Sequence, residues 1–139
     1  MRPKLSLITL GVADVAAARS FYEALGWTAS ERSMEGLALF PLGGMVLALH
    51  PRNELAADAT VPDAPTGFAG LMISYNATSE SEVDAVLAEA QAAGGTLVKP
   101  AQKVYWGGYS GYFRDPDGHL FEVAYNPFWP LDDKGNLDL

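Results

Sequence analysis

An α+β fold of two βαβββ modules, forming a curved mixed sheet around a trough with the helices outside, is what the sequence predicts. Three observations carry the expectation. Two stretches each run from an apolar strand through an amphipathic helix into short β-favouring segments, a Pro- and Gly-punctuated break parts them, and local echoes link them. The echoes are EALGW against EAQAAGG, and GGMVLALHP against DGHLFEVAYNP. Neither module could cover the free face of its own sheet, so pairing edge to edge would leave a shared trough suited to a ligand.

The first module spans residues 4–51. Leu5–Val12 alternates as a strand, with Ile8, Leu10 and Val12 on one face and Leu7, Thr9 and Gly11 on the other. Asp14 is a helix N-cap ahead of the apolar stripe Val15, Ala18, Phe21, Tyr22 and Leu25, which Gly26 ends. Thr28–Arg32, Leu37–Pro41 and Met45–His50 complete the module as three short strands. Residues 52–67 are dominated by small and acidic residues with prolines at 62 and 65, and read as a linker.

The second module spans residues 68–128. Phe68–Asn76 is its first strand, and Ser79 with Glu82 forms a capping box before Val83, Val86, Leu87, Ala90 and Ala93 at helical spacing. Gly94-Gly95 stops that helix, Thr96–Lys99 is a strand, and Pro100–Gly108 is a loop. Gly111–Arg114 and His119–Tyr125 then form a hairpin about Asp115-Pro116-Asp117-Gly118, whose Asx acceptor, fixed φ and permissive glycine suit a type I turn. Residues 129–139 are a tail, and Phe128, Trp129 and Leu131 are too apolar to stand together in water; they are expected to cover the trough mouth or a neighbouring subunit.

Composition limits the function. With 139 residues and 49% apolar content, the chain suits one globular domain burying about two-thirds of its unfolded surface. The absence of cysteine excludes thiol catalysis and Cys-based metal sites, and a start unlike a signal peptide points to the cytoplasm. A net charge of −8 disfavours nucleic acid and anionic membranes; it suits a cationic small-molecule partner or is simply a soluble acidic surface. No phosphate loop is present, because GGMV and WGGY lack the Lys-Ser/Thr or helix start it requires.

The chemistry centres on Glu122. Alternation puts Phe121, Val123 and Tyr125 on one face and Leu120, Glu122 and Ala124 on the other, so this carboxylate must be paired, protonated, metal-bound or facing a wet cavity. The plain alternative is an edge strand with Glu122 in solvent. His50 is a candidate acid–base partner; ending a strand before Pro51, it is equally an ordinary half-exposed histidine. His119, by parity, faces away from Glu122 and reads as a surface residue. Tyr105, Trp106, Tyr109 and Tyr112 interleave with glycines, and one or two of them, Trp106 and Tyr109 foremost, are candidates to stack on a planar ligand, with core and rim packing as the alternative.

These motifs carry a resemblance. Leu10-Gly11-Val12-Ala13-Asp14 with Phe21-Tyr22 and Leu25-Gly26, then Asp115-Pro116-Asp117-Gly118-His119-Leu120 with Glu122, make the chain similar to the vicinal oxygen chelate superfamily of glyoxalases, extradiol dioxygenases, and fosfomycin- and bleomycin-resistance proteins. The resemblance implies metal ligands at the first and last strands of each module. Here those positions hold Leu7, Ala48, Gly70 (Leu71 if the register shifts by one) and Glu122, so one donor of four is present. A divalent ion needs three or more N/O donors, which disfavours a bound metal; no cofactor is expected.

Thr9 shares the parity of Leu7, while Met72, Ser74 and Asn76 share that of Gly70, giving neutral hydrogen-bonding groups among apolar walls. The expectation is a protein that binds and sequesters a small organic ligand, cationic or aromatic in character, in the manner of bleomycin-resistance proteins. The alternative is a glyoxalase-like lyase or isomerase, or a dioxygenase-type enzyme, using Glu122 with His50 or a weakly held divalent ion. The resemblance also implies a homodimer.

Overall fold

Side-chain hydroxyls and one buried carboxylate decide where several of the strands begin and end. The computed structural model describes residues 6–64, 67–69 and 71–138. Its contacts cluster into two units, Met1–Ala69 and Gly70–Leu139. Across both, the described residues form two sheets with three helices, an α+β architecture with no closed barrel.

In the first unit, β1 (Leu7–Val12) leads into α1 (Val15–Ala24), followed by β2 (Ala38–Leu42) and β3 (Met45–Pro51). Asp14 caps α1, its carboxylate accepting from the Ala17 N–H at 2.9 Å. The sheet order is β1-β3-β2, with β1 parallel and β2 antiparallel to β3. Leu10, Val12, Phe40, Leu47 and Leu49 are buried with Phe21 and Tyr22 of α1, and the Tyr22 and Phe40 rings lie 5.8 Å apart. This is the core that the helical stripe implied.

Two segments of this unit depart from expectation. Residues 28–32 form no strand; the Ser30 N–H bonds to the Leu39 carbonyl, but the Ser33 hydroxyl accepts the Leu39 N–H and the Ser30 hydroxyl accepts the Arg32 N–H. Local side-chain bonds have displaced the ladder. The stretch read as a linker from its small and acidic residues instead opens with α2 (Arg52–Asp58), because its alanines, Leu55 and Glu54 are good helix formers. The helix packs on β1 and β3, and it passes so close to Gly11 that a Cβ there would stand 3.1 Å from the Arg52 Cα.

The second unit contains β4 (Ile73–Asn76), α3 (Glu80–Ala92), β5 (Thr96–Lys103), β6 (Tyr109–Arg114) and β7 (Leu120–Tyr125), in sheet order β4-β7-β6-β5. The Ser79 hydroxyl caps α3 through the Glu82 N–H at 3.2 Å, while the Glu82 carboxylate reaches back one residue further than a capping box requires, to Thr78. Strand β5 runs on through Pro100. The proline is tolerated because β5 is an edge strand, and its register to β6 shifts between Leu97 and Lys99 and again between Lys99 and Gln102.

Helix α3 lies on the β6–β7 core, where Phe113 and Phe121 stack at 4.9 Å and Val83, Leu87 and Val123 are buried. Gly111 is the point of closest approach. An added Cβ would lie 2.6 Å from a Leu87 methyl and 2.9 Å from both the Ala101 N and the Lys99 O of the neighbouring strand. Gly111→Ala is therefore expected to destabilise the chain by about 1–3 kcal/mol through overpacking. Gly44→Ala, where nothing lies within 4 Å, should stay within about 0.5 kcal/mol; urea denaturation of the two variants checks the contrast.

Candidate functional site

The β6–β7 turn sets the site. The backbone bonds Asp115 N–H to His119 O and Gly118 N–H to Asp115 O close it, with Gly118 at φ +91. Asp115 is 3% exposed, and its side chain accepts from the Asp117 N–H at 3.0 Å, the His119 N–H at 2.8 Å and the His119 imidazole Nδ1 at 2.8 Å. His119 is thereby tied into the turn, on the parity opposite to Glu122. From this turn the hairpin register follows, with Arg114 opposite Leu120 and Tyr112 opposite Glu122.

On its other side β7 pairs in parallel with β4, which places Ser74 beside Glu122. The carboxylate is thus flanked by a hydroxyl on each neighbouring strand: Tyr112 donates to Oε1 at 2.9 Å and Ser74 to Oε2 at 3.2 Å. Half-buried, Glu122 opens onto a cavity of about 680 Å³ whose walls include Ser74, Asn76, Trp106, Phe128 and Trp129. The tail forms one wall. It turns back on itself at Asp132, which accepts from the Lys134 and Asn136 N–H groups, and Leu131 bridges to Leu137.

The first unit holds a cavity of its own, of about 710 Å³. Leu7, Thr9, Ala48 and His50 contribute from the sheet, and Glu54 and Leu55 of α2 face them. The His50 Nδ1 lies 3.2 Å from the Pro51 carbonyl, a contact within its own strand end. Of the residues singled out by sequence, Leu7, Thr9, Ala48 and His50 therefore gather in the first unit, and Ser74, Trp106 and Glu122 in the second.

Two candidates join neither group. Tyr109 turns to the helix side, where its hydroxyl donates to Asp84 of α3 at 2.9 Å, and Met72 is exposed ahead of β4 without lining the cavity. Gly70 lies outside the described residues. Tyr112 stood only among the candidate stacking aromatics, and its hydrogen bond to Glu122 was missed, although counting back from the DPDG turn pairs the two. Asn126 was also missed. It lines the second cavity while its side-chain oxygen accepts the Phe128 N–H.

The donor set bears on metal. Among the described residues, no three His, Asp or Glu side chains in either unit are grouped to hold an ion. At the positions where the resemblance places ligands, Leu7 and Ala48 offer no donor atoms from their side chains, which leaves Glu122 as the one donor among them. Such a set does not fit a resident divalent cation, for which ligands at about 2.0–2.2 Å must replace most of a hydration shell.

Burial and the hydrogen bond to Glu122 push the Tyr112 phenol above its ordinary pKa, because ionisation would set two negative charges side by side. At the mouth of α3, the hydrogen bond to Glu82 drives Tyr75 to about 12. For both, the stabilisation is whole below the ordinary phenol value of about 10 and is lost as pH rises through the raised value. Glu122→Gln removes the neighbouring charge from Tyr112 alone. In an alkaline absorbance titration Tyr112 should then ionise at lower pH, while Tyr75 stays near 12.

Comparison with known proteins agrees with this geometry. Residues 4–123 match the Glyoxalase/Bleomycin resistance protein/Dioxygenase superfamily. Metallothiol transferase FosB of Shouchella clausii is 34% identical over 118 residues, covering 84% of this chain and 75% of the relative. A glyoxalase-related enzyme from Fulvimarina pelagi superposes with a TM-score of 0.88 at 34% identity, over 99% of this chain and 98% of the other. Lactoylglutathione lyase from Agrobacterium tumefaciens does so with a TM-score of 0.67 at 26% identity, over 93% and 98%. With the repeated units, the DPDG turn and Glu122 in place, the chain belongs to the Glyoxalase/Bleomycin resistance protein/Dioxygenase superfamily.

Proposed function

We propose that this chain binds a small organic molecule in the cavity of its second unit, with Glu122 as the anchor and no resident metal. One observation carries the reading. The Glu122 carboxylate, oriented by Tyr112 and Ser74, faces a cavity walled by Trp106, Phe128 and Trp129, and so joins a single charge to broad apolar surface. That division of labour, a few placed polar groups among aromatic walls, is what a small-molecule site requires.

The chemistry follows from what each group can do. Tyr112 and Ser74 hold the carboxylate in one rotamer, which lowers the entropy lost when a donor group docks. A ligand ring laid against the aromatic walls would displace water from beside Glu122 and so strengthen the resulting hydrogen bond. A substrate with an acidic C–H beside Glu122 would find a base there, so binding and proton abstraction use the same geometry.

A metal-dependent transferase is the second reading, favoured by the 34% identity to a protein named as a metallothiol transferase. Against it stands the set of side chains, with one carboxylate and no imidazole in the second unit's cavity. Calorimetric titration with nickel, zinc, manganese and iron separates the two. No stoichiometric site of micromolar or better affinity is expected; finding one would favour the transferase.

For the binding reading, small aromatic amines, acids and neutral compounds can be screened by tryptophan fluorescence. Glu122→Gln should weaken the compounds that bind by about tenfold or more, the worth of a charge-assisted hydrogen bond. His119→Ala, on the other face and tied to Asp115, should leave their affinity unchanged. Equal losses in both variants would remove Glu122 from the site.

A further inference from the structure

Resting on the binding role proposed above, we infer that the second unit's cavity selects a flat aromatic cation whose charged group carries N–H donors, an arylamidine or arylmethylamine in type. The argument begins with charge. Glu122 accepts from two neutral hydroxyls, and among the described residues no lysine, arginine or histidine forms an ion pair with it. Lys99 comes into this network only through the Tyr112 ring, with its ammonium 5.6 Å from the ring centroid.

Hydroxyls orient a carboxylate without neutralising it. A carboxylate has about four acceptor positions, and two hydroxyl donors leave lone pairs for N–H groups of a ligand. A quaternary ammonium cannot use them, whereas an amidinium meets a carboxylate with two parallel N–H bonds.

The walls favour the same charge. Trp106, Phe128 and Trp129 present aromatic surface to the cavity, with Phe128 70% and Trp129 49% exposed. Aromatic faces attract cations through their quadrupoles, and their exposed area is apolar surface that a ring could bury. Anions meet the opposite conditions at the carboxylate and in a chain of net charge −8.

The floor explains why the body of the ligand should be flat. Ala124 follows Glu122 on the same face of β7, roughly 7 Å further along the strand. Ala124 is 5% exposed, and it and its cross-strand partner Asn76 both line the cavity beside the carboxylate. A single ring lying on Ala124 could place its cationic substituent on Glu122 and its opposite edge near Asn76.

The chain contains three tryptophans, and their placement makes a test direct. Trp106 and Trp129 line the cavity, whereas Trp27 stacks on Tyr22 in the first unit and serves as an internal control. Benzamidine, benzyltrimethylammonium, benzyl alcohol and benzoate would each be titrated into the full ¹⁵N-labelled chain while the indole N–H signals are followed. Benzamidine should shift Trp106 and Trp129 but not Trp27, bind about tenfold or more tightly than benzyl alcohol, and lose that advantage in Glu122→Gln. Benzyltrimethylammonium should fall between them, and benzoate should not bind.

Benzyl alcohol or benzoate matching benzamidine, or benzamidine indifferent to Glu122→Gln, would overturn the charge assignment and leave the binding role standing. Parity between benzamidine and benzyltrimethylammonium would overturn the N–H requirement. If no probe moved either cavity tryptophan, the binding role would fall as well. The probe series on the native chain decides these points even if the variant fails to fold.

Discussion

The second unit depends on one buried carboxylate. Asp115 takes the Asp117 and His119 backbone N–H groups into one oxygen, and this pair sets the closure of the β6–β7 turn, while the other oxygen accepts from the His119 imidazole. A turn that is fixed fixes the register, and a register slip of one residue would send every side chain of β7 to the opposite face. Tyr112 stands opposite Glu122, and Phe113 stacks on Phe121, because Asp115 holds that count. The site and the core beneath it therefore share one origin.

Each unit also covers a sheet face with the segment that follows its last strand. In the first unit β3 passes directly into α2, which returns over β1 and β3. In the second, the chain beyond β7 brings Phe128, Trp129, Leu131 and Leu137 to the cavity above Glu122. The solutions differ in chemistry. Alanines and Leu55 build a short helix in one, whereas bulky aromatics closed by a turn at Asp132 form the wall in the other. On the binding role proposed above, the aromatic wall would favour flat molecules and the charge beneath would orient them.

Legibility in the sequence followed the range of the interactions involved. Asp14, Ser79 and the DPDG turn act on residues within four positions, and all three do in the structure what their spacing implied. The parity of Glu122 was equally local. Tyr112 was within reach of the same reasoning, since a hairpin with a known turn has a known register. What misled were residues whose side chains act outside their own strand: Ser33 taking the Leu39 N–H, and Tyr109 reaching to Asp84 on the helix side.

By itself, the amino-acid order determined the family frame, the helices α1 and α3, the turn, and the face on which Glu122 stands. Those features arise from periodicity and from bonds between near neighbours, which a linear string records. Tertiary structure alone decided that residues 52–58 pack on β1 and β3, that β5 continues past Pro100, and that Ser74 and Tyr112 flank the carboxylate. Each of those outcomes depends on a partner from a distant segment, whether a sheet face for α2, a β6 neighbour for the bulged edge strand, or β4 beside β7. Free energy of that kind is gained only when the segments meet, so no local pattern announces it.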